Sequence, residues 1–283
     1  MSFFRYPGGK NKLKGQIVEK LKECITTNNG ILEYREPFLG GGNICINMID
    51  TNLKRFYLND YDIGLACLWT TVLNYPEELI ERVLNFKPSV DDFYNYKNYL
   101  ISIGYKEIDS FSKDAIISIG FKKMVLHQIS YSGLGIKSGG PLGGKKQLSN
   151  YKIDCRWSPL YISKKINKIS SLLNSKDIVF NKCTNHDFGK LLENLDETFV
   201  VYLDPPYFVK GSELYHHSFE EQDHIRLSEY LKKTKAYWVL SYDNCDYIVD
   251  LYKDWSNINV ITGINYTINT SRKDKFELLI SNF

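Results

Sequence analysis

The 283-residue chain carries 36 Lys and Arg against 33 Asp and Glu, with 43% hydrophobic residues including 21 Tyr, 15 Phe and 4 Trp. That composition is globular, outside the disordered and collagenous classes, and a formal charge of +3 neither requires nor excludes a nucleic-acid partner. Its six cysteines form no CxxC pair, which argues against a zinc site, an iron–sulfur cluster or a dense disulfide framework.

No stretch supplies the roughly 18 uninterrupted apolar residues of a membrane span, so a soluble, cytoplasmic protein is expected. Leu13, Ile17 and Leu21 recur every four residues and predict an amphipathic helix over 11–24. ILEYREPFLGGG then passes from strand-like character into three glycines at 40–42. ICINMI at 44–49 continues as a helix, and RFYLN forms a strand ending in Asn59 and Asp60. Strand, glycine turn, helix and strand make the opening unit of an α/β cofactor-binding fold.

Residues 62–176 read differently, with helical candidates around 61–73 and 111–129 and a glycine-rich interval, SGLGIKSGGPLGG, at 132–144. This stretch is expected to be a mainly helical insertion with a flexible loop, dividing an α/β domain into parts 1–61 and 177–283. The α/β pattern returns with IVFNKC at 178–183 and FVVYL at 199–203, the latter stopped by Asp204-Pro205-Pro206-Tyr207. A helix over 220–233, a strand over 236–242 and terminal strands over 257–269 and 275–283, separated by the polar turn SRKD, complete the chain.

Two places carry chemistry. Glycines after a central strand allow positive φ and close approach of backbone to a ligand; Glu36 to Gly42 lacks the GxGxxG spacing, so a nicotinamide cofactor is not the natural inference. Asp60, at the end of the next strand, can accept hydrogen bonds from ribose hydroxyls, a solvated turn aspartate being the competing reading. The two prolines of Asp204–Tyr207 remove two backbone donors and expose carbonyls. A carboxylate and a carbonyl can together hold both hydrogens of an aromatic amine such as adenine N6, and Tyr207 can stack on a base extruded from its helix. With S-adenosylmethionine as donor the sulfonium already activates the methyl group, so no metal and no covalent enzyme intermediate are expected.

In the order of these motifs the chain resembles the Dam-like, D12-class DNA adenine-N6 methyltransferases, across RYPGGKNKL at 5–13, EPFLGGG at 36–42, ND at 59–60, HDF at 186–188, DPPY at 204–207 and SRKDKFELLISNF at 271–283. The resemblance implies an α/β, Rossmann-like sheet with an inserted helical target-recognition domain. It also implies S-adenosyl-L-methionine as cofactor, S-adenosyl-L-homocysteine as product and double-stranded DNA as partner. It assigns Tyr6 (commonly Trp in the family) and Lys10 to enclosing the cofactor. Phe38, Gly40 and Gly42 fall to the cofactor loop, Asp60 to an acidic cofactor contact, Asp187 to the neighbourhood of the cofactor adenine, and Asp204 to Tyr207 to methyl transfer. A monomer or weak dimer is expected, and a cognate restriction endonuclease is an open partner.

The family's inserted domain reads DNA, which points to Lys122, Lys123, His127, Lys137, Lys145 and Lys146 as groups near the duplex and to Tyr131 and Leu134 as fillers of the vacated base position. Helix packing and solubility charge explain the same residues. The loop lacks the Arg-rich, FNVP-containing pattern of GATC-specific enzymes, so no recognition sequence follows. Gly139 to Lys145 satisfies GxxxxGK, but Lys146 replaces the hydroxyl residue that a P-loop needs and no strand precedes it. Cytosine N4 or RNA as acceptor, and an inactive DNA-binding protein, stay open alternatives. A C5-cytosine mechanism finds no suitable Cys, and Cys183 reads as a small apolar side chain near a strand end.

Overall fold

The computed structural model describes residues 4–7, 10, 13–209, 219–264 and 275–283. Seven strands form one sheet: β1 (Glu33–Glu36), β2 (Arg55–Leu58), β3 (Asp177–Ile178), β4 (Phe199–Leu203), β5 (Tyr237–Asp243), β6 (Asn257–Ile264) and β7 (Lys275–Ser281). Their spatial order is β3-β2-β1-β4-β5-β7-β6. The first five run parallel, and β7 is antiparallel to both β5 and β6. Because β1 has β2 on one side and β4 on the other, the chain reverses its winding there. An open parallel sheet forms its ligand crevice at such a switch point, beyond the carboxyl ends of the strands.

The apolar run FVVYL is what a strand covered on both faces requires. Val200 and Tyr202 enter one hydrophobic cluster, while Val201 and Leu203 enter the other. On the first face lie α1 (Lys14–Thr27), α2 (Asn43–Met48), α3 (Ile63–Asn74), α6 (Lys113–Ile129) and α7 (Pro159–Leu173); on the second lie α8 (Phe188–Leu192), α9 (Glu221–Lys233) and α10 (Asp246–Tyr252). In α1 the expected stripe is realised, with Leu13 before the helix and Ile17, Leu21 and Cys24 within it all buried. Two further helices, α4 (Pro76–Asn85) and α5 (Val90–Ser102), precede α6. Their starts are marked by Pro76 and by a reciprocal Ser89–Asp92 capping box. Helices α3, α6 and α7 share one apolar cluster with β1 and β2, so the helical stretch packs on the sheet through a continuous core.

Two expectations are modified, and a third falls outside the described residues. The strand read at 178–183 pairs with β2 only over Asp177 and Ile178, then turns through Phe180 and Asn181 at φ 61° and 49°. The glycine-rich loop is pinned rather than loose: Leu142 donates to the Ile129 carbonyl at 2.7 Å, Tyr131 to Gly140 at 3.1 Å and Gly135 to Ser130 Oγ at 2.9 Å. The SRKD turn lies outside the described residues, as do Gly8, Gly9, Asn11 and Lys12 of the N-terminal motif. No described helix is long and apolar enough to cross a membrane.

One buried side chain ties the strand ends together. Asn59, following β2, donates through Nδ2 to the carbonyls of Pro37 at 2.9 Å and His186 at 3.1 Å. Its Oδ1 accepts from Thr184 Oγ1 at 2.7 Å and from the His186 amide at 2.8 Å. All the hydrogen-bonding capacity of this amide is used, linking the segments that follow β1, β2 and β3. Asn59→Ala should therefore destabilise the fold by about 2–4 kcal/mol, since it strands several buried partners. Urea unfolding measures this, together with weakened cofactor binding; an unchanged midpoint would refute the role.

Candidate active site

The parallel strands end on a cavity of about 460 Å³ lined by the turn after β1, by Asp60, by Asp187 and by Asp204. Its size falls within the roughly 300–1,000 Å³ typical of small-molecule sites. The glycine turn and the Asp204-Pro205-Pro206 corner thus face one space, with Asp204 and Pro206 in its wall. Pro205 and Tyr207 are not part of that lining.

Gly40 and Gly42 sit at φ 48° and 62°, the left-handed region that L side chains rarely adopt. A Cβ on Gly42 would lie 2.4 Å from Trp69 Cζ2, and one on Gly40 would lie 2.8 Å from the Tyr6 ring. Trp69 of α3 also donates Nε1 to the Gly40 carbonyl at 2.9 Å, so an indole props the turn from below while Tyr6 lies over it. Tyr6 in turn packs against His127, with ring centroids 5.2 Å apart. Asp60 Oδ2 accepts the Gly40 amide at 2.7 Å, and its Oδ1 accepts the Asp62 amide at 3.0 Å. Burial and the nearby Asp62 raise the Asp60 carboxyl to about 7, against the pull of those two amides.

At the far end of the cavity Phe38, Phe188 and Phe219 form a three-ring cluster with centroids 5.3–5.8 Å apart. Asp187 caps α8 through the Gly189 amide at 2.9 Å and takes both guanidinium nitrogens of Arg226 at 2.8 Å. Arg226 also lies 4.2 Å over the Phe188 ring and bonds Asp223 at 3.2 Å, fixing the carboxylate beside the aromatic wall. This planar, two-pronged pairing holds orientation better than a lysine would.

Around Asp204 the site is ionic. Lys10 Nζ stands 2.9 Å from Asp204 Oδ1 and 3.1 Å from Glu277 Oε2, and it also donates to the Tyr207 hydroxyl. Tyr207 donates to Glu277 Oε1 at 2.7 Å, and Lys10 lies 4.4 Å over its ring. Ser241 of β5 donates to Asp204 Oδ1 at 3.1 Å. Burial raises the Asp204 carboxyl above the ordinary carboxylate range, opposed by Lys10. Glu36, at the end of β1, is pushed well above that range by burial, with Asp204 and Asp60 adding to the effect and the Tyr34 hydroxyl opposing it. Six carboxyl groups, Glu36, Asp60, Asp62, Asp187, Asp204 and Asp223, thus border a cavity whose described lining has Lys and Arg only at Lys10 and Arg226.

Sequence reasoning assigned no role to Glu36, Trp69, Arg226 or Glu277. Glu277 left a visible signal, a charge inside the apolar run FELLI; Glu36 is one of three charged residues in EYRE, and Trp69 and Arg226 sit on helices, so these left none.

The DNA candidates divide. Lys123 is buried against Asp62, and His127 is buried with Nδ1 2.8 Å from the Gly133 carbonyl. Burial and the Lys123 charge lower the imidazole to about 3, which leaves it neutral. Both side chains are turned into the fold, Lys123 against Asp62 and His127 beneath Gly133 and Gly135. Lys122 is half-buried, turned onto Ser118 and 4.8 Å from the Tyr99 ring. Tyr131, Lys137, Lys145 and Lys146 are exposed on the pinned loop, and Leu134 is partly exposed beside them.

A search of curated proteins found no match. The family model for D12 class N6 adenine-specific DNA methyltransferase matches residues 6–265, nearly the whole chain. That match spans every residue lining the cavity, from Tyr6 to Arg226. The chain belongs to the D12 class of N6 adenine-specific DNA methyltransferases, enzymes that use S-adenosylmethionine to methylate adenine in DNA.

Proposed function

We propose that the cavity between the Gly40–Gly42 turn and Asp204 is where a specific adenine, extruded from duplex DNA, receives its methyl group. The observation carrying this reading is that both motifs, 162 to 164 residues apart in sequence, line the same space. When bound, the cofactor supplies a methyl group already activated on a positively charged sulfur. The residues present fit it: Gly40 and Gly42 let backbone approach closely, the three phenylalanines offer apolar faces to a purine, and Asp60 offers acceptor capacity to ribose hydroxyls. Asp60 and Asp204, where ionised, give the crevice a negative field suited to a cation.

On the acceptor side, Asp204 and the carbonyls of the two-proline corner hold the N6 hydrogens and orient the nitrogen. Lys10 keeps the Asp204 carboxylate charged in a buried setting where it would otherwise take up a proton. Extrusion of the base is needed because N6 is inaccessible within a paired stack. Residues 62–176 supply sequence recognition in this reading, with the loop bearing Tyr131, Leu134, Lys137, Lys145 and Lys146 entering the DNA and the opening left by the base. Tyr6 and His127 join that loop physically to the cofactor turn. Protection against a cognate restriction endonuclease is one use of this chemistry.

Incubating the protein with cofactor and duplex DNA, followed by nucleoside mass spectrometry, should yield N6-methyladenine in one sequence context. Asp204→Ala should lower transfer by roughly 100-fold or more while retaining cofactor binding. N4-methylcytosine as sole product, or an undiminished Asp204→Ala variant, would overturn the assignment.

The raised Asp60 carboxyl gives a pH signature. Its proton is held more tightly in the fold than in the unfolded chain, so its contribution to stability is present at low pH and lost as pH rises through about 7. Cofactor binding has the opposite slope, because ribose hydroxyls and the sulfonium favour the ionised form. Affinity measured by calorimetry should rise roughly tenfold between about pH 6 and about pH 8, and Asp60→Asn should remove the slope. A wild-type affinity flat across that interval would contradict the ribose role.

A further inference from the structure

Transfer of a methyl group to an amine replaces an N–H bond by N–CH3 and releases one proton, while the electron pair of the broken C–S bond stays on sulfur. In an extruded, enclosed base that proton needs an acceptor with a route onward. Asp204 is the first oxygen it meets in the proposed site, but an Asp204 left protonated no longer holds the next amine as an ionised acceptor. The structure shows what lies behind it. Asp204 Oδ1 is 2.9 Å from Lys10 Nζ, and Lys10 Nζ is 3.1 Å from Glu277 Oε2. A parallel arm runs from Lys10 to the Tyr207 hydroxyl and from there to Glu277 Oε1 at 2.7 Å. Both arms end on one carboxylate, buried at 3% exposure on β7, the strand next to β5.

We propose that Glu277 is the proton-receiving terminus of a relay, Asp204 to Lys10 to Glu277, that clears the proton released by methyl transfer. The proposal rests on the methyl-transfer reading of Asp204 given above. Asp204 passes its newly acquired proton to Lys10 as Lys10 passes one of its own to Glu277. The balance is closed: Asp204 is again a carboxylate, Lys10 is again an ammonium, and Glu277 is a neutral acid. Tyr207 serves the second arm by accepting from Lys10 and donating its own hydroxyl proton to Oε1, ending as the phenol it began. Lys10 has two carboxylates as neighbours, so it can lose a proton to one while gaining a proton from the other without leaving an isolated buried charge. A lysine serving only to neutralise Asp204 would not need the second carboxylate, whose burial is itself costly.

Glu277→Gln preserves the shape of this residue but cannot accept the proton. In single-turnover experiments with cofactor and DNA already bound, its transfer rate should fall roughly 10- to 100-fold. Cofactor and DNA affinities should stay within about twofold of wild type, because the lost group touches neither, and Glu277→Asp should recover part of the rate. Infrared difference spectra across one turnover should show a protonated-carboxyl C=O band in the wild type that is missing from Glu277→Gln. A Glu277→Gln enzyme as fast as wild type would overturn the relay, as would a slow variant in which the same infrared band persists. If Asp204→Ala itself transfers methyl groups normally, the reading of the site fails, which separates that failure from failure of the relay alone.

Discussion

Asn59 makes four hydrogen bonds with its side chain, and the geometry of the crevice depends on them. A parallel sheet aligns strands through backbone pairing, and beyond β1, β2 and β3 that pairing thins to single contacts such as the bridge between Asn59 and Thr184. The Asn59 side chain reinforces it there: it holds the turn that leads into Gly40, the segment that leads into Asp187, and its own strand end beside Asp60. Its backbone contributes too, since the Asn59 carbonyl accepts the Leu39 amide at 2.9 Å and its amide reaches Glu36 at 3.1 Å. A buried amide with all four positions occupied has one orientation, and that rigidity passes to the loops it binds. The Trp69 prop beneath Gly40 and the Arg226 fork on Asp187 then refine each wall separately.

On this frame the electrostatics are lopsided by construction. Parallel strands direct Glu36, Asp60 and Asp204 to one edge, and burial lifts all three above the ordinary carboxylate range. Such a cluster is unfavourable on its own, since each negative charge raises its neighbours. A bound cation relieves it, which links the cost of assembling the crevice to affinity for a sulfonium ligand. Lys10 restrains only the Asp204 end, and it does so as part of a group with Glu277 and Tyr207 rather than as a single ion pair. The same packing that enfolds the cofactor turn reaches the loop at 130–148, because Tyr6 lies between Gly40 and His127. His127 stays neutral there, so this contact is one of shape and does not change with pH near neutrality.

Much of the sheet was legible because its strands obey local rules. FVVYL read as a strand from its aromatic and β-branched run, and the two prolines after it marked its end; both features hold in the structure. EPFLGGG and ND announced a crevice through glycines and an acid at strand ends, the places where a doubly wound sheet gathers its ligands. The helical stretch was harder. Its general character was visible, but α4, α5 and α7 carry their signals in caps, Pro76, Ser89 with Asp92, and Pro159, rather than in long periodic runs. Glycine spacing at 132–144 suggested looseness, whereas the positive-φ glycines there allow tight turns closed by hydrogen bonds. Burial of Lys123 and His127 was not legible because their partners, Asp62 and Gly133, are chosen by packing in space. Glu277 was visible only as a misplaced charge in FELLI, since its partner Lys10 is 267 residues away.

The central claim, that four separate strand ends act as one binding wall, is tested most directly by amide hydrogen exchange with and without S-adenosylmethionine. The account predicts that cofactor slows exchange together at residues 38–44, 60–62, 186–189 and the segment following Asp204, with Asn59→Ala weakening all of them at once. Protection confined to a single one of these segments, or centred instead on α4 and α5, would contradict it.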